Sequence, residues 1–94
     1  MALTDKYNFD DLVNEAERFV LSELEVQLAG RDEDVDEDTI LDMAAYALNK
    51  VSPRYRVNLL GRLYAQSADE AYLSEVQSAV SGAIGKILGG PSET

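Results

Sequence analysis

The stretch DMAAYALNKVSPRYRVNLLGRLY, residues 42–64, decides how this chain folds. It begins as an alanine-rich helical run and then reaches Pro53, which disfavours helical geometry at the preceding residue. A helix that starts near Asp36 or Asp38 is therefore predicted to end by about Val51. Its closely spaced alanines allow another backbone to pack tightly against it.

The chain before this stretch predicts a first helix over residues 9–29. Asn8 can cap its first turn, and Gly30 is a natural stop. Residues 1–7 are expected to form a flexible end. The apolar residues that recur with a helical period are Phe9, Leu12, Val13, Ala16, Phe19, Val20, Leu24 and Leu28.

The chain after this stretch predicts a last helix over residues 68–88. Ser67 and Glu70 have the spacing of a capping box, and an apolar helical pattern follows them. Two glycines and a proline then end the helix, so residues 89–94 are expected to be a flexible end. The sequence thus predicts three main helices.

Residues 54–65 leave two local structures open. Tyr55-Arg56-Val57 alternates as a short extended segment does, whereas Asn58 can cap a short helix that Gly61 would weaken. The predicted fold class is mainly α: one domain over residues 1–94, built as a small bundle of three main helices plus a short turn, extended or helical segment.

Composition limits the compartment and the partners. The chain has 94 residues, no Cys, no His and a net charge of −10, which argues against binding of nucleic acid polymers or anionic membranes. The N-terminus lacks a signal-peptide pattern, and no apolar run approaches the roughly 18 residues of a membrane span. We expect a cytoplasmic protein. A core this small is often reinforced by a partner subunit, which predicts a homodimer.

The residue inventory removes most catalytic and metal chemistries. Without His or Cys there is no Ser-His-Asp triad, no thiol nucleophile and no ordinary zinc site. Asp32, Asp34 and Asp36 have the first spacings of a calcium loop, but its required Gly and final Glu are replaced by Glu37 and Met43. We therefore expect no enzyme, no resident cofactor and no metal.

A basic segment stands out on this acidic chain. Between Met43 and Ala68 there are four basic residues and no acidic one. Arginine binds phosphate through a planar fork, and tyrosine rings can stack on nucleobases, so this segment could bind a nucleotide. From spacing alone, an alternative stays open in which the bases pair with acids elsewhere and the tyrosines are half-buried. The residues concerned are Lys50, Arg54, Arg56, Arg62, Tyr46, Tyr55 and Tyr64.

Residues 42–57 resemble the central signature of the late competence protein ComFB family. That signature has an Asp, an Ala-Leu-Asn segment and a Leu-Pro-Pro-x-Tyr element, and the resemblance covers roughly residues 8–65. It implies a small, mainly helical, dimeric cytoplasmic protein. Cyanobacterial members of the family are receptors for cyclic di-GMP, in some cases cyclic di-AMP, and are linked to competence, pili and cell-size control.

The resemblance also supplies candidate ligand-binding residues. Some family members hold zinc through cysteines between the first two helices; here an acidic loop replaces them, so no zinc is expected. Ser52 replaces the first Pro of the usual pair, which we expect to loosen the loop. Matched by motif position are Asp42, Asn49, Lys50, Pro53, Arg54 and Tyr55, and added on chemical grounds alone are Arg56 and Arg62.

The resulting functional hypothesis is a non-enzymatic cyclic dinucleotide receptor. Lys50 and the arginines would take the phosphates, tyrosine or arginine planes would stack on guanine, and Asp42 or Asn49 would read a base edge. A downstream protein, which the chain does not identify, would receive the signal. The alternative is an acidic dimeric protein–protein adaptor without a nucleotide ligand.

Overall fold

Three long helices form the body of the protein in a computed structural model that describes residues 2–31, 34–57 and 69–89. These helices pack pairwise against one another, and the predicted mainly α-helical fold class is confirmed. The elements in chain order are α1 (Leu3–Lys6), β1 (Val13–Asn14), α2 (Ala16–Ala29), α3 (Glu37–Leu48), β2 (Tyr55–Arg56) and α4 (Glu70–Ile84), which a π-helical turn (Gly85–Gly89) extends.

The core lies where the three long helices meet. The largest fully buried side chains are Val20, Met43 and Val80, one from each helix. Burial of each such side chain contributes about 1.5–3 kcal/mol. Ala44 and Ala47 of α3 are also buried, so the alanines predicted to permit close packing do lie in the core.

The first long helix begins at Ala16, so the prediction of a helix from residue 9 is wrong over its first part. Phe9 and Leu12, assigned to its apolar face, are 43% and 48% exposed. The side chain of Asn8 accepts a hydrogen bond from the Asp10 N–H at 2.8 Å instead of capping a helix. The apolar period is therefore genuine only from Ala16 onward.

A two-stranded antiparallel sheet explains this difference. Val13 pairs with Arg56, and Asn14 pairs with Tyr55. The Asn14 carboxamide oxygen accepts hydrogen bonds from the N–H groups of Arg54 at 2.8 Å and Ala16 at 3.1 Å. These contacts hold the chain extended up to the start of α2. They also confirm an extended structure at Tyr55-Arg56, while residues 58–65 lie outside the described residues.

The second long helix has the predicted limits. Asp36 is its N-cap and accepts a hydrogen bond from the Thr39 N–H at 2.9 Å, and the hydrogen bonds of Thr39 lower the pKa of this carboxyl. Asn49 is its C-cap, with its side-chain amide donating to the Ala45 carbonyl at 3.0 Å. The end of the acidic segment therefore starts the helix, within the predicted range of Asp36 to Asp38.

The last long helix starts two residues later than predicted. Its N-cap is Asp69, whose carboxylate accepts a hydrogen bond from the Tyr72 N–H at 2.9 Å, so the assignment of the cap to Ser67 is wrong. Both residue types are good caps, and the register that buries Tyr72 selects Asp69. Ser67 itself lies outside the described residues. Of the helices that the structure describes, none has the length and apolar character needed to cross a bilayer.

Candidate functional site

The connecting loop, residues 49–54 between α3 and β2, is fastened to α4. The Tyr72 hydroxyl donates a hydrogen bond to the Ser52 carbonyl at 2.9 Å. The N–H and the hydroxyl of Ser52 both donate to Glu75 Oε2, at 2.7 Å and 3.0 Å. Since the N–H of Arg54 is bound by Asn14, the loop is held from two sides. The expectation that Ser52 loosens the loop is therefore wrong, because its N–H and hydroxyl hold the loop to Glu75. A proline at position 52 has no N–H to donate.

Two predicted cations of this loop lie over tyrosine rings. The guanidinium carbon of Arg54 is 4.6 Å from the centre of the Tyr72 ring. The ammonium of Lys50 is 5.4 Å from the centre of the Tyr46 ring. Burial raises the pKa of the Tyr72 hydroxyl, and Arg54 partly opposes this effect. Tyr72 therefore remains protonated, as its hydrogen bond to the loop requires.

The Tyr72 ring belongs to a longer stack of aromatic rings and cations. It meets Phe19 of α2 edge to face, with centroids 5.6 Å apart and an interplanar angle of 79°. The guanidinium of Arg18 lies 4.4 Å from the Phe19 ring centre. The order is thus Arg18, Phe19, Tyr72, Arg54, which joins α2, α4 and the connecting loop.

A groove of about 320 Å³ lies beside the connecting loop, where α3 ends against α4. We call it the Tyr46 groove. It combines an aromatic ring, a cation, an anion and a hydroxyl with small residues that leave space. Its lining residues are Tyr46, Lys50, Glu75, Ser78, Ala79 and Gly82. Two larger depressions, of about 520 Å³ at residues 4–10 and about 470 Å³ along α2, contain neither Lys50 nor Tyr46.

Arg56 takes part in a different structure, an ion-pair cluster around a buried carboxylate. Glu15 is 3% exposed and accepts hydrogen bonds from Arg18 Nε at 2.9 Å and from Arg56 Nε. The hydrogen bonds from Arg18 and then Arg56 lower the pKa of the Glu15 carboxyl. The Arg56 side chain is only 18% exposed and does not line the Tyr46 groove. For Arg56, the structure therefore supports the alternative in which the basic residues pair with acidic residues elsewhere in the chain.

Of the other candidate residues that the structure describes, none lines the Tyr46 groove. Asp42 is exposed on α3, one helical turn before Tyr46. The side chain of Asn49 caps α3, and Pro53 is exposed within the connecting loop. Tyr55 is 63% exposed on β2. Arg62 and Tyr64 lie outside the described residues.

The structure adds two residues that sequence reasoning missed. Tyr72 and Glu75 lie one turn apart on α4, and both hold Ser52. They are 20 and 23 residues away from Ser52 in the chain, so no local spacing marks them. Sequence spacing indicates only that both residues belong to the last helix.

Comparison with known proteins gives one family match. The family model described as late competence development protein ComFB matches residues 13–91. None of the curated proteins compared is significantly similar in sequence. The matched region runs from β1 through α4, so it includes both the connecting loop and the helix wall that carries Tyr72 and Glu75.

Proposed function

This chain belongs to the family of the late competence development protein ComFB, and we propose that it acts in the cytoplasm as a non-enzymatic cyclic dinucleotide receptor. Family membership makes it a competence-related protein. The proposed ligand is cyclic di-GMP, with cyclic di-AMP as the second possibility. The receptor would pass the level of this second messenger to competence, pili or cell-size control through a protein partner.

The observation that carries this proposal is the Tyr46 groove. Tyrosine rings stack on bases, and each such stack is worth about 1–3 kcal/mol. Lys50, at the rim, now lies over the Tyr46 ring. At an exposed site this cation–π contact is worth only about 0.5–1 kcal/mol. A phosphate can therefore draw the ammonium away, and the ring is then uncovered for a base.

The fastened loop supports the same proposal. Ligand binding is most favourable when the binding groups need little further ordering. Ser52 is held by two residues of α4 and Arg54 by Asn14, so the backbone that carries Lys50 and Arg54 is already ordered. A receptor without catalysis needs such positioned charges and rings, and it needs no nucleophile.

The size of the groove favours a shared ligand. Pockets for drug-sized ligands span about 300–1,000 Å³, and the Tyr46 groove, at about 320 Å³, is at the lower limit. It fits one nucleotide half better than a whole cyclic dinucleotide. Because the ligand is twofold symmetric and a C2 dimer presents the same surface twice, a homodimer could supply one groove to each half.

A specific observation favours the alternative adaptor function. Large apolar side chains of α2 and α3 are exposed, among them Leu21, Val26 and Leu41 at 51%, 67% and 57%. Exposed apolar surface of this kind serves protein partners as well as a second copy of the chain. An acidic dimeric adaptor would use this surface and would need no nucleotide.

Calorimetry distinguishes the two functions. Cyclic di-GMP, cyclic di-AMP and a linear dinucleotide are titrated into the wild type, Lys50→Ala and Lys6→Ala. Lys6 is the matched control because this last residue of α1 too lies beside a tyrosine ring, at 6.0 Å from the centre of the Tyr7 ring. We expect Lys50→Ala to weaken binding about tenfold, as the loss of one charge-assisted hydrogen bond does, and Lys6→Ala to leave it unchanged.

Absence of heat with every nucleotide on the wild type would overturn the receptor function and favour the adaptor. A second pair of variants examines stacking. Tyr46→Leu is compared with Tyr7→Leu, and we expect only Tyr46→Leu to weaken binding, because Tyr46 lines the groove and Tyr7 does not. Light scattering tests the homodimer, and a particle with the mass of one chain in the presence of saturating ligand would contradict it.

A further inference from the structure

Glu75 lines the Tyr46 groove. It takes no part in the proposed phosphate binding or in the proposed stacking of the base. Both hydrogen bonds from Ser52 reach the same carboxylate oxygen, Oε2. Among the residues that the structure describes, no donor to Oε1 is found. The carboxylate is thus anchored through one oxygen and can accept hydrogen bonds through the other.

The chemistry of the two purines decides which base suits such a carboxylate. The Watson–Crick edge of guanine presents two adjacent donors, N1–H and the N2 amino group. Adenine presents only its N6 amino group there, beside N1, which is an acceptor. A carboxylate accepts hydrogen bonds and donates none, so it complements guanine and opposes the N1 lone pair of adenine.

We propose that Glu75 is the residue that selects guanine over adenine in the Tyr46 groove. This inference rests on the proposed receptor function and specifies its base preference. In this arrangement the base stacks on Tyr46, its donor edge meets the Glu75 carboxylate, and the Ser78 hydroxyl lies on the same wall. The selection depends on a side chain of α4 and not on Asp42 or Asn49.

The floor of the groove admits a flat ring. Ala79 and Gly82 line it, and a Cβ atom added at Gly82 would meet no atom within 4 Å. A base can therefore lie across this part of α4 without displacing a side chain. The small residues alone would accept either purine, so discrimination requires the carboxylate.

The negative charge of Glu75 is compatible with an anionic ligand. Lys50 shares the groove with Glu75. Arg54, in the connecting loop, lies over the ring of Tyr72, and Tyr72 is one helical turn before Glu75 in α4. The two cations can take the phosphates while the carboxylate meets only the base. The two donors of Ser52 hold the carboxylate in this position.

The test compares affinities for cyclic di-GMP and cyclic di-AMP in the wild type and in Glu75→Gln. Glutamine keeps the size of the side chain but can donate to adenine N1. We expect the wild type to prefer cyclic di-GMP, and Glu75→Gln to reduce that preference about tenfold, as the loss of one charge-assisted hydrogen bond to the base does. Equal wild-type affinities for the two ligands would overturn the inference, whatever the variant does.

Ser52→Ala is the matched control. It removes one hydrogen bond to Glu75 but keeps the carboxylate. Any resulting change in the loop should alter the affinities for the two ligands by the same factor. We expect its ratio of affinities to equal that of the wild type. An unchanged ratio in Glu75→Gln, with both ligands still bound, overturns the base selection and leaves the receptor function intact. If neither cyclic di-GMP nor cyclic di-AMP binds to the wild type, both the base selection and the receptor function are overturned.

Discussion

Replacing Glu15 by glutamine should destabilise the protein by about 2–3 kcal/mol at neutral pH. Glu15 is 3% exposed and accepts hydrogen bonds from two arginines. The Arg56 side chain is 18% exposed, and a charge-assisted bond of this kind is worth about 1.5–3 kcal/mol. The Arg18 side chain is 46% exposed, so its bond adds less than about 1 kcal/mol.

The stability lost in Glu15→Gln should be largest at neutral pH and should decrease in acid. The pKa of Glu15 is lowered in the folded protein by its hydrogen bonds to Arg18 and then Arg56, relative to an ordinary value of 4.5. The stabilisation is therefore complete above the unfolded pKa and is lost as the pH falls through the folded pKa. The wild type and Glu15→Gln should differ at pH 7 and converge in acid, where both side chains are neutral.

Urea unfolding measured from pH 7 into the acid range tests this prediction. The matched control is Glu17→Gln, which makes the same charge change two residues along, at an exposed position in the first turn of α2. We expect the control to change the free energy of unfolding by less than about 0.5 kcal/mol. Equal stabilities of the two variants at pH 7, or a gap between Glu15→Gln and the wild type that widens in acid, would refute the role of this cluster.

Three further variants test the helix ends, the loop and the groove. Asp36→Ala removes the hydrogen bond to the Thr39 N–H and should lower the thermal midpoint by several degrees, measured by circular dichroism; an unchanged midpoint would contradict the cap. Tyr72→Phe removes the bond to the Ser52 carbonyl and should cost about 1 kcal/mol in urea unfolding; no cost would mean that the loop is not held there. Gly82→Ala should raise stability by about 0.5–1 kcal/mol, because nothing lies within 4 Å of the added methyl group, yet weaken nucleotide binding in calorimetry; unchanged affinity would remove Gly82 from the site.

The sequence predicted the fold where the determining contacts are local. The limits of α3 follow from Asp36, which caps it, and from Pro53, which prevents its continuation. The start of α2 could not be predicted in this way. There the chain is held extended by strand pairing and by the hydrogen bond from the Arg54 N–H to Asn14, 40 residues away. An apolar period within residues 9–15 contains no information about that partner.

The candidate site follows the same division. Lys50 and Tyr46 are four residues apart at the end of one helix, so their proximity could be predicted from spacing. Arg56 is grouped with them on chemical grounds alone, but its partner is Glu15, 41 residues away. Glu75 could not be predicted because it is 23 residues away from Ser52 in the chain. Only the packing of α4 against the connecting loop brings this carboxylate to the groove.

The most direct measurement for the proposed binding site is a set of backbone amide NMR spectra recorded during titration with cyclic di-GMP. Binding in the Tyr46 groove predicts the largest shift changes at residues 46–54 and 72–82, with Lys6 and Tyr7 unaffected. Shift changes confined to the depression along α2, or no changes at saturating ligand, would contradict it.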